Sequence, residues 1–120
     1  MALDGQGGVY VTGSTKSTDF PVPGGYDTAY GGGEDRYGDA FLVKLDENGH
    51  LIWGTYLGGH GADLSWPVAI DASGNVYISG QTTSSDFPTS AAEDDSYNGS
   101  ADSYFAKFAG DGRLLWSTYL

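Results

Sequence analysis

The chain contains no cysteine, which excludes a disulfide framework, a thiol nucleophile and a Cys-ligated metal. Basic residues are scarce: 5 Lys and Arg stand against 16 Asp and Glu, for a net charge of −11. A field of this sign repels phosphate, so nucleic acids and anionic membranes are unfavourable partners. No apolar run approaches the roughly 20 residues of a spanning helix, and the residues after Met1 lack the pattern of a signal peptide. With 120 residues, we expect one small folded unit.

What the chain does have is an internal repeat. The segment Ala2–Gly13 (ALDGQGGVYVTG) reappears 67 residues later as Ala69–Gly80 (AIDASGNVYISG). Further on, Leu51–Leu57 (LIWGTYL) returns 63 residues later as Leu114–Leu120 (LLWSTYL). The first copy therefore carries four extra residues between Pro21 and Gly38. We expect a surface loop there, because insertions in loops cost little.

Each copy has the pattern of four short strands. In the second copy, alternating apolar positions and β-branched or aromatic residues predict strands over Val68–Ile70, Val76–Thr82, Ser103–Phe108 and Leu114–Leu120. Between them lie turn residues, such as Gly110-Asp111-Gly112, that favour tight hairpins. No stretch combines helical periodicity with capping residues. The sequence therefore predicts an all-β fold.

A four-stranded antiparallel unit that recurs every 63–67 residues favours a β-propeller blade over a sandwich. On this interpretation residues 1–57 are a first blade and 68–120 are a second blade. Residues 58–67 are then an inter-blade linker.

The repeat resembles the SBBP-type bacterial β-propeller repeat. The resemblance lies in Val68–Pro88, Asp102–Phe108 and Leu114–Leu120, and in the first copy in Ala2–Pro21, Asp39–Leu45 and Leu51–Gly59. It implies four-stranded propeller blades and a large bacterial parent protein that is secreted or on the cell surface. It implies little about activity.

The positions of the termini in the repeat bear on assembly. Met1 falls on the first strand of one blade and Leu120 on the fourth strand of the next, so we expect a fragment or an engineered sequence of two nearly whole blades. Two blades leave apolar faces uncovered, and propellers close with typically 4–8 blades. We expect three or four chains to join head to tail in a closed ring. The predicted inter-blade packing residues are Tyr10, Trp53, Leu57, Tyr77, Trp116 and Leu120.

Four aspartates in turns are weak candidates for a metal site. Asp4, Asp46, Asp71 and Asp111 lie in turns that contain Gly or Asn, and loops of this kind can supply oxygen ligands to calcium. Because Asp side chains also stabilise such turns themselves, the turn interpretation is preferred. We expect no cofactor, with calcium as the alternative, since a divalent cation would relieve repulsion between acidic subunits.

Sequence motifs for catalysis are absent. Neither His50 nor His60 has a counterpart in the other copy, and no phosphate loop or nucleophile elbow is found. The remaining acids considered, Asp19, Asp39, Asp63, Asp86 and Asp102, are interpreted as structural. Asp19 recurs as Asp86 and Asp39 as Asp102, and recurrence in both copies favours that role. We therefore expect no enzyme activity, no catalytic residues and no cofactor-binding residues.

The alternative is a binding module for a glycan or a protein partner. Loops 21–38 and 88–101 would carry it, since ligands favour loops on a rigid scaffold. Aromatic side chains in linkers or loops could stack on sugar rings; these are Tyr26, Tyr30, Tyr37, Trp66 and Tyr97.

Overall fold

The computed structural model describes residues 1–32 and 37–120, which form two antiparallel β-sheets. Sheet 1 has the order β1-β2-β3-β4. Its strands are β1 (Ala2–Leu3), β2 (Val9–Thr15), β3 (Asp39–Leu45) and β4 (Leu51–Leu57). Within the described ranges, no helix is long and apolar enough to cross a membrane. The predicted all-β class is confirmed.

Sheet 2 repeats this order and adds a strand. It contains β5 (Asp63–Ser65), β6 (Ala69–Ile70), β7 (Val76–Thr82), β8 (Asp102–Phe108) and β9 (Leu114–Tyr119). The order is β5-β7-β8-β9, and β6 also pairs with β7. Strands β6 to β9 match the four predicted strands to within one residue at each end.

The extra strand β5 corrects the sequence interpretation of residues 58–67 as a linker. Asp63 lies opposite Thr82 and Ser65 opposite Gly80, so residues 63–65 form an edge strand of sheet 2. A run of three residues is too short for a periodicity argument, and it has no counterpart in the first copy. Sheet 2 therefore has five strands rather than the predicted four.

The long strands form because their side chains alternate between two packed faces. In β7, Val76 and Ile78 are buried while Tyr77 and Ser79 are half-buried. The hairpins are closed by residues with positive φ, such as Gly49 at 83° between β3 and β4. Only glycine adopts this conformation without strain.

The core lies between the sheets, where two unlike faces meet. We call the face of sheet 1 that enters the core its leading face, and the face of sheet 2 that enters the core its trailing face. The leading face contributes Tyr10, Ala40, Leu42, Trp53 and Leu57, and the trailing face contributes Val76, Ile78, Tyr104, Ala106 and Phe108.

Candidate functional site: the interface between the sheets

Trp53 joins the two sheets at one end of the interface. Its indole Nε1 donates a hydrogen bond of 3.0 Å to the carbonyl oxygen of Gly110 in the β8–β9 turn. The ring of Tyr10 meets it edge-on at 6.0 Å between centroids, and Trp53 is only 4% exposed. A buried indole with a hydrogen-bonded N–H stabilises this contact through its buried apolar surface and through the hydrogen bond.

Strand β5, at the edge of sheet 2, also forms hydrogen bonds with sheet 1. Ser14 Oγ donates to the Asp63 carbonyl oxygen at 3.1 Å, and Ser65 Oγ donates to the Gly13 carbonyl oxygen at 3.0 Å. Thr12 Oγ1 donates to the Trp66 carbonyl oxygen at 3.1 Å. The segment interpreted as a linker therefore contacts both sheets.

The six predicted packing residues fall into two sets of three. Tyr10, Trp53 and Leu57 lie in the core at 1%, 4% and 0% exposure. Their equivalents on sheet 2 occupy the same positions on that sheet's leading face, which nothing within the described residues covers in the same way. Tyr77 and Trp116 are half-buried, and Leu120 is 68% exposed; these three are the equivalents.

The leading face of sheet 2 keeps an aromatic cluster at its surface. Trp116 stacks on Phe105 at 5.8 Å between ring centroids and meets Tyr77 edge-on at 6.4 Å. The Lys107 ammonium lies 5.1 Å from the Tyr77 ring centroid, just as Lys44 lies 5.1 Å from Tyr10. The surface cluster therefore reproduces part of the arrangement that is buried in sheet 1.

The trailing face of sheet 1 is the second partly uncovered surface. Val9, Val11, Phe41 and Leu45 are half-buried, whereas the equivalent residues of sheet 2 are fully buried. Phe20 covers part of it, with its ring 4.5 Å from that of Phe41. The leading face of sheet 2 and the trailing face of sheet 1 are thus both partly uncovered. They are equivalent to the two faces that pack against each other between the sheets.

Two buried aspartates lie side by side at the interface. The Asp63 carboxylate accepts hydrogen bonds from Thr82 Oγ1 at 2.5 Å and from Ser84 Oγ at 2.8 Å. Asp39 Oδ2 accepts one from the Gly31 amide at 2.8 Å. Burial, with the Asp63 charge as a further cause, raises the pKa of Asp39 to about 6. The sequence interpretation gave both acids a structural role but did not predict this pairing.

The four weak metal candidates each serve a turn. Asp4 Oδ1 accepts hydrogen bonds from the amides of Gln6 and Gly8 at 2.9 and 2.8 Å, and these bonds hold the Asp4 pKa below its usual value. The amide of His50 does the same for the pKa of Asp46. Asp71 and Asp111 accept equivalent bonds from the amides of Ser73 and Arg113. Among residues 1–32 and 37–120, no group of three or more His, Asp or Glu residues is placed to hold a metal ion.

The candidate sugar-stacking aromatics differ in exposure. Trp66 is 50% exposed, and Tyr26 and Tyr37 are each 47% exposed. By contrast, Tyr30 packs on Tyr56 and Tyr97 packs on Tyr119, each at 6.0 Å between ring centroids. Tyr30 and Tyr97 are therefore half-buried, and they offer less ring surface to a sugar than the other three candidates do. Residues 33–36 of loop 21–38 lie outside the described residues.

Two antiparallel sheets of four and five strands, built from one repeated unit, pack face to face in chain order, as the blades of a β-propeller do. Residues 1–21 and 52–88 match the family model described as SBBP, beta-propeller repeat. Over these residues the family model confirms the resemblance seen in the sequence. A comparison with curated proteins finds no match.

Proposed function

We propose that this chain is a non-catalytic assembly unit whose copies join head to tail into a closed β-propeller. The observation that carries the proposal is the pairing of unlike faces within one chain. The leading face of sheet 1 covers the trailing face of sheet 2, and each sheet keeps the complementary face partly uncovered. A second copy would cover the leading face of sheet 2 with its own sheet 1.

An interface of this kind is heterologous, so it forms a ring when the rotation between units closes and a filament when it does not. Propellers close with typically 4–8 blades. Three or four chains of two blades each give six or eight, within that range. Closure would cover both faces of every chain, which an open dimer does not.

The free energy for assembly comes from apolar and aromatic surface. Val11 and Phe41 on one face, and Phe105 and Trp116 on the other, are half-buried. Burying such surface stabilises by roughly 25 cal/mol per Å². The charge of −11 per chain opposes assembly, and salt screens that repulsion.

A mixing experiment tests the heterologous interface directly. Val11→Glu places a charge on the trailing face of sheet 1, and Ser79→Glu places one on the leading face of sheet 2. We expect each variant alone to have the mass of a monomer by light scattering. We expect their mixture to form a heterodimer of twice 12.6 kDa, because each variant keeps one intact face.

The matched control is Ser85→Glu, which adds the same charge at an exposed site in the β7–β8 loop. We expect it to keep the wild-type mass. If the mixture of the two face variants contained only monomers while Ser85→Glu assembled, head-to-tail pairing would be wrong.

A binding module for a glycan or a protein is the second candidate. The exposed side chain of Trp66, which follows the edge strand β5, favours it, because exposed aromatic rings stack on sugars. A glycan array that compares the wild type with Trp66→Ala tests the glycan form. Signal that disappears in the variant supports it, and an array with no signal above background contradicts it.

A further inference from the structure

Sheet 2 contains a peptide-binding groove that is filled by the chain itself. The occupant is the segment Gly58–Trp66. The groove donates or accepts hydrogen bonds along residues 60–66 of the segment. The amides of His60, Gly61 and Ala62 donate to Asp86 Oδ1, Ser84 Oγ and Thr83 Oγ1 at 2.9, 2.9 and 2.7 Å.

The middle of the segment is held by its aspartate and by strand pairing. The hydroxyls of Thr82 and Ser84 donate to the Asp63 carboxylate, and Asp63–Ser65 pairs with Thr82–Gly80. At the far end the Trp66 amide donates to the Ser79 carbonyl oxygen at 2.9 Å. Charge-assisted bonds to a carboxylate are the stronger ones in such a set.

Sheet 1 carries the same groove along Thr12–Asp19. Counting back 67 residues, Thr12 stands for Ser79, Thr15 for Thr82, Ser17 for Ser84 and Asp19 for Asp86. The local geometry is already formed, because the Ser17 amide donates to Thr15 Oγ1 at 3.0 Å and the Ser84 amide donates to Thr82 Oγ1 at 2.9 Å.

The two grooves differ in what covers them. Thr82 and Ser84 are 0% and 1% exposed beneath the segment, whereas Thr15 and Ser17 are half-exposed. Within the described residues, no strand pairs with β2 at Gly13–Thr15 as β5 pairs with β7. Ser17 Oγ instead donates to Asp19 Oδ1 at 2.5 Å.

The glycine at the centre of each groove supports the same conclusion. A Cβ on Gly80 would lie 1.8 Å from the Leu64 carbonyl oxygen, so a side chain there is incompatible with β5. Gly13 occupies the equivalent place, where a Cβ would meet the Phe41 ring at 2.9 Å and no strand carbonyl. Within the described residues, no strand occupies this edge of β2, and there is space for one.

We propose that the groove Thr12–Asp19 binds an extended peptide segment with the chemistry of Gly58–Trp66, supplied by another repeat-bearing chain. Its recognised features are flanking glycines, an aspartate for the hydroxyls of Thr15 and Ser17, and an edge that extends sheet 1 by strand addition. Two residue differences should make binding in this groove weaker than in the equivalent groove of sheet 2. Lys16 stands for Thr83, and Phe41 lacks the hydroxyl by which Tyr104 donates to the Leu64 carbonyl oxygen.

The probe is a fluorescently labelled synthetic peptide of residues Gly58–Pro67, titrated into the intact chain and followed by anisotropy. We expect saturable binding with a Kd below about 1 mM. We expect the Asp63→Asn peptide to bind at least about tenfold more weakly, because a charge-assisted hydrogen bond contributes more than a neutral one.

Variants of the chain place the peptide in the groove. Thr15→Val and Ser17→Ala should each weaken binding at least about tenfold. Thr28→Ala, at an exposed position outside the groove, should leave binding unchanged. No saturation up to about 1 mM would overturn the proposal. Equal affinity for Thr15→Val, Ser17→Ala and wild type would overturn it too, since the peptide would then have bound elsewhere or displaced β5.

This groove does not depend on ring closure, and light scattering on the same samples separates the two proposals. Peptide binding by a chain that stays monomeric would retain the groove and contradict assembly. Assembly without peptide binding would do the reverse.

Discussion

Trp53 Nε1 donates a hydrogen bond to the Gly110 carbonyl oxygen at 3.0 Å, across 57 residues of sequence and between the two sheets. The equivalent Trp116 packs on Phe105 and Tyr77 of its own sheet and stays half-buried. The same position of the repeat is therefore buried in sheet 1 and half-buried in sheet 2. Substitutions at the two positions can test folding and the proposed assembly separately.

Substituting these two tryptophans should give different results. Trp53→Ala should lower the free energy of unfolding by about 3–5 kcal/mol, as expected for truncating a buried aromatic residue. Trp116→Ala should cost the single chain about 1–2 kcal/mol, because its ring is half-buried, but should abolish assembly. Urea denaturation at low protein concentration and light scattering measure the two effects. Equal destabilisation by both variants, with the oligomer mass unchanged, would show that Trp116 has no role between chains.

The buried carboxyl of Asp39 should make stability depend on pH. Its pKa is about 6 in the folded chain against 3.8 for the unconstrained group, so the folded state binds the proton more tightly. The contribution of protonated Asp39 is fully present below pH 3.8 and is lost as the pH rises through 6.

Asp39→Asn removes this titration while it keeps an oxygen for the Gly31 amide. We expect the free energy of unfolding of the variant to rise relative to that of the wild type between pH 4 and 6. Above pH 6 the difference should be on the order of 2 kcal/mol. Urea midpoints at pH 4, 5, 6 and 7 measure it. A difference that stayed flat across this series would mean that folding does not raise the pKa of Asp39.

Gly80 and Gly13 form a second informative pair. Gly80→Ala should expel β5, because the new Cβ would lie 1.8 Å from the Leu64 carbonyl oxygen, and we expect a loss of about 3 kcal/mol or more. Gly13→Ala needs only the Phe41 ring to move, so we expect a loss of about 1 kcal/mol. Hydrogen exchange at the amides of β5 distinguishes the two, since only Gly80→Ala should remove their protection. Retained protection in Gly80→Ala would contradict the described position of β5.

Calcium should have little effect on the single chain. Each candidate aspartate already accepts hydrogen bonds from backbone amides of its own turn, as Asp4 does from Gly8. We expect EDTA to leave the melting temperature of the monomer unchanged. If calcium bridges acidic subunits, EDTA would instead lower the mass of the assembly, while the melting temperature of the monomer would stay the same. Calorimetry with and without about 1 mM calcium measures the melting temperature, and light scattering on the same samples measures the mass.

The repeat explains how much of this structure could be predicted. Alternation in Val76–Thr82 and turn glycines such as Gly49 depend on neighbouring residues alone, so the long strands and hairpins are visible in the sequence. Strand β5 could not be predicted in this way, because a segment of three residues forms a strand only when it pairs with the edge of β7. The Asp39–Asp63 pairing was missed for the same reason, since it forms only where the two sheets meet. The division of packing residues into buried Trp53 and half-buried Trp116 also requires the structure.

The most direct test of the central claim is the solution mass of the wild-type chain by size-exclusion chromatography with light scattering, at two protein concentrations. Head-to-tail closure gives a sharp, concentration-independent mass of three or four times 12.6 kDa. A folded monomer at both concentrations would contradict the account, and so would a mass that rises continuously with concentration.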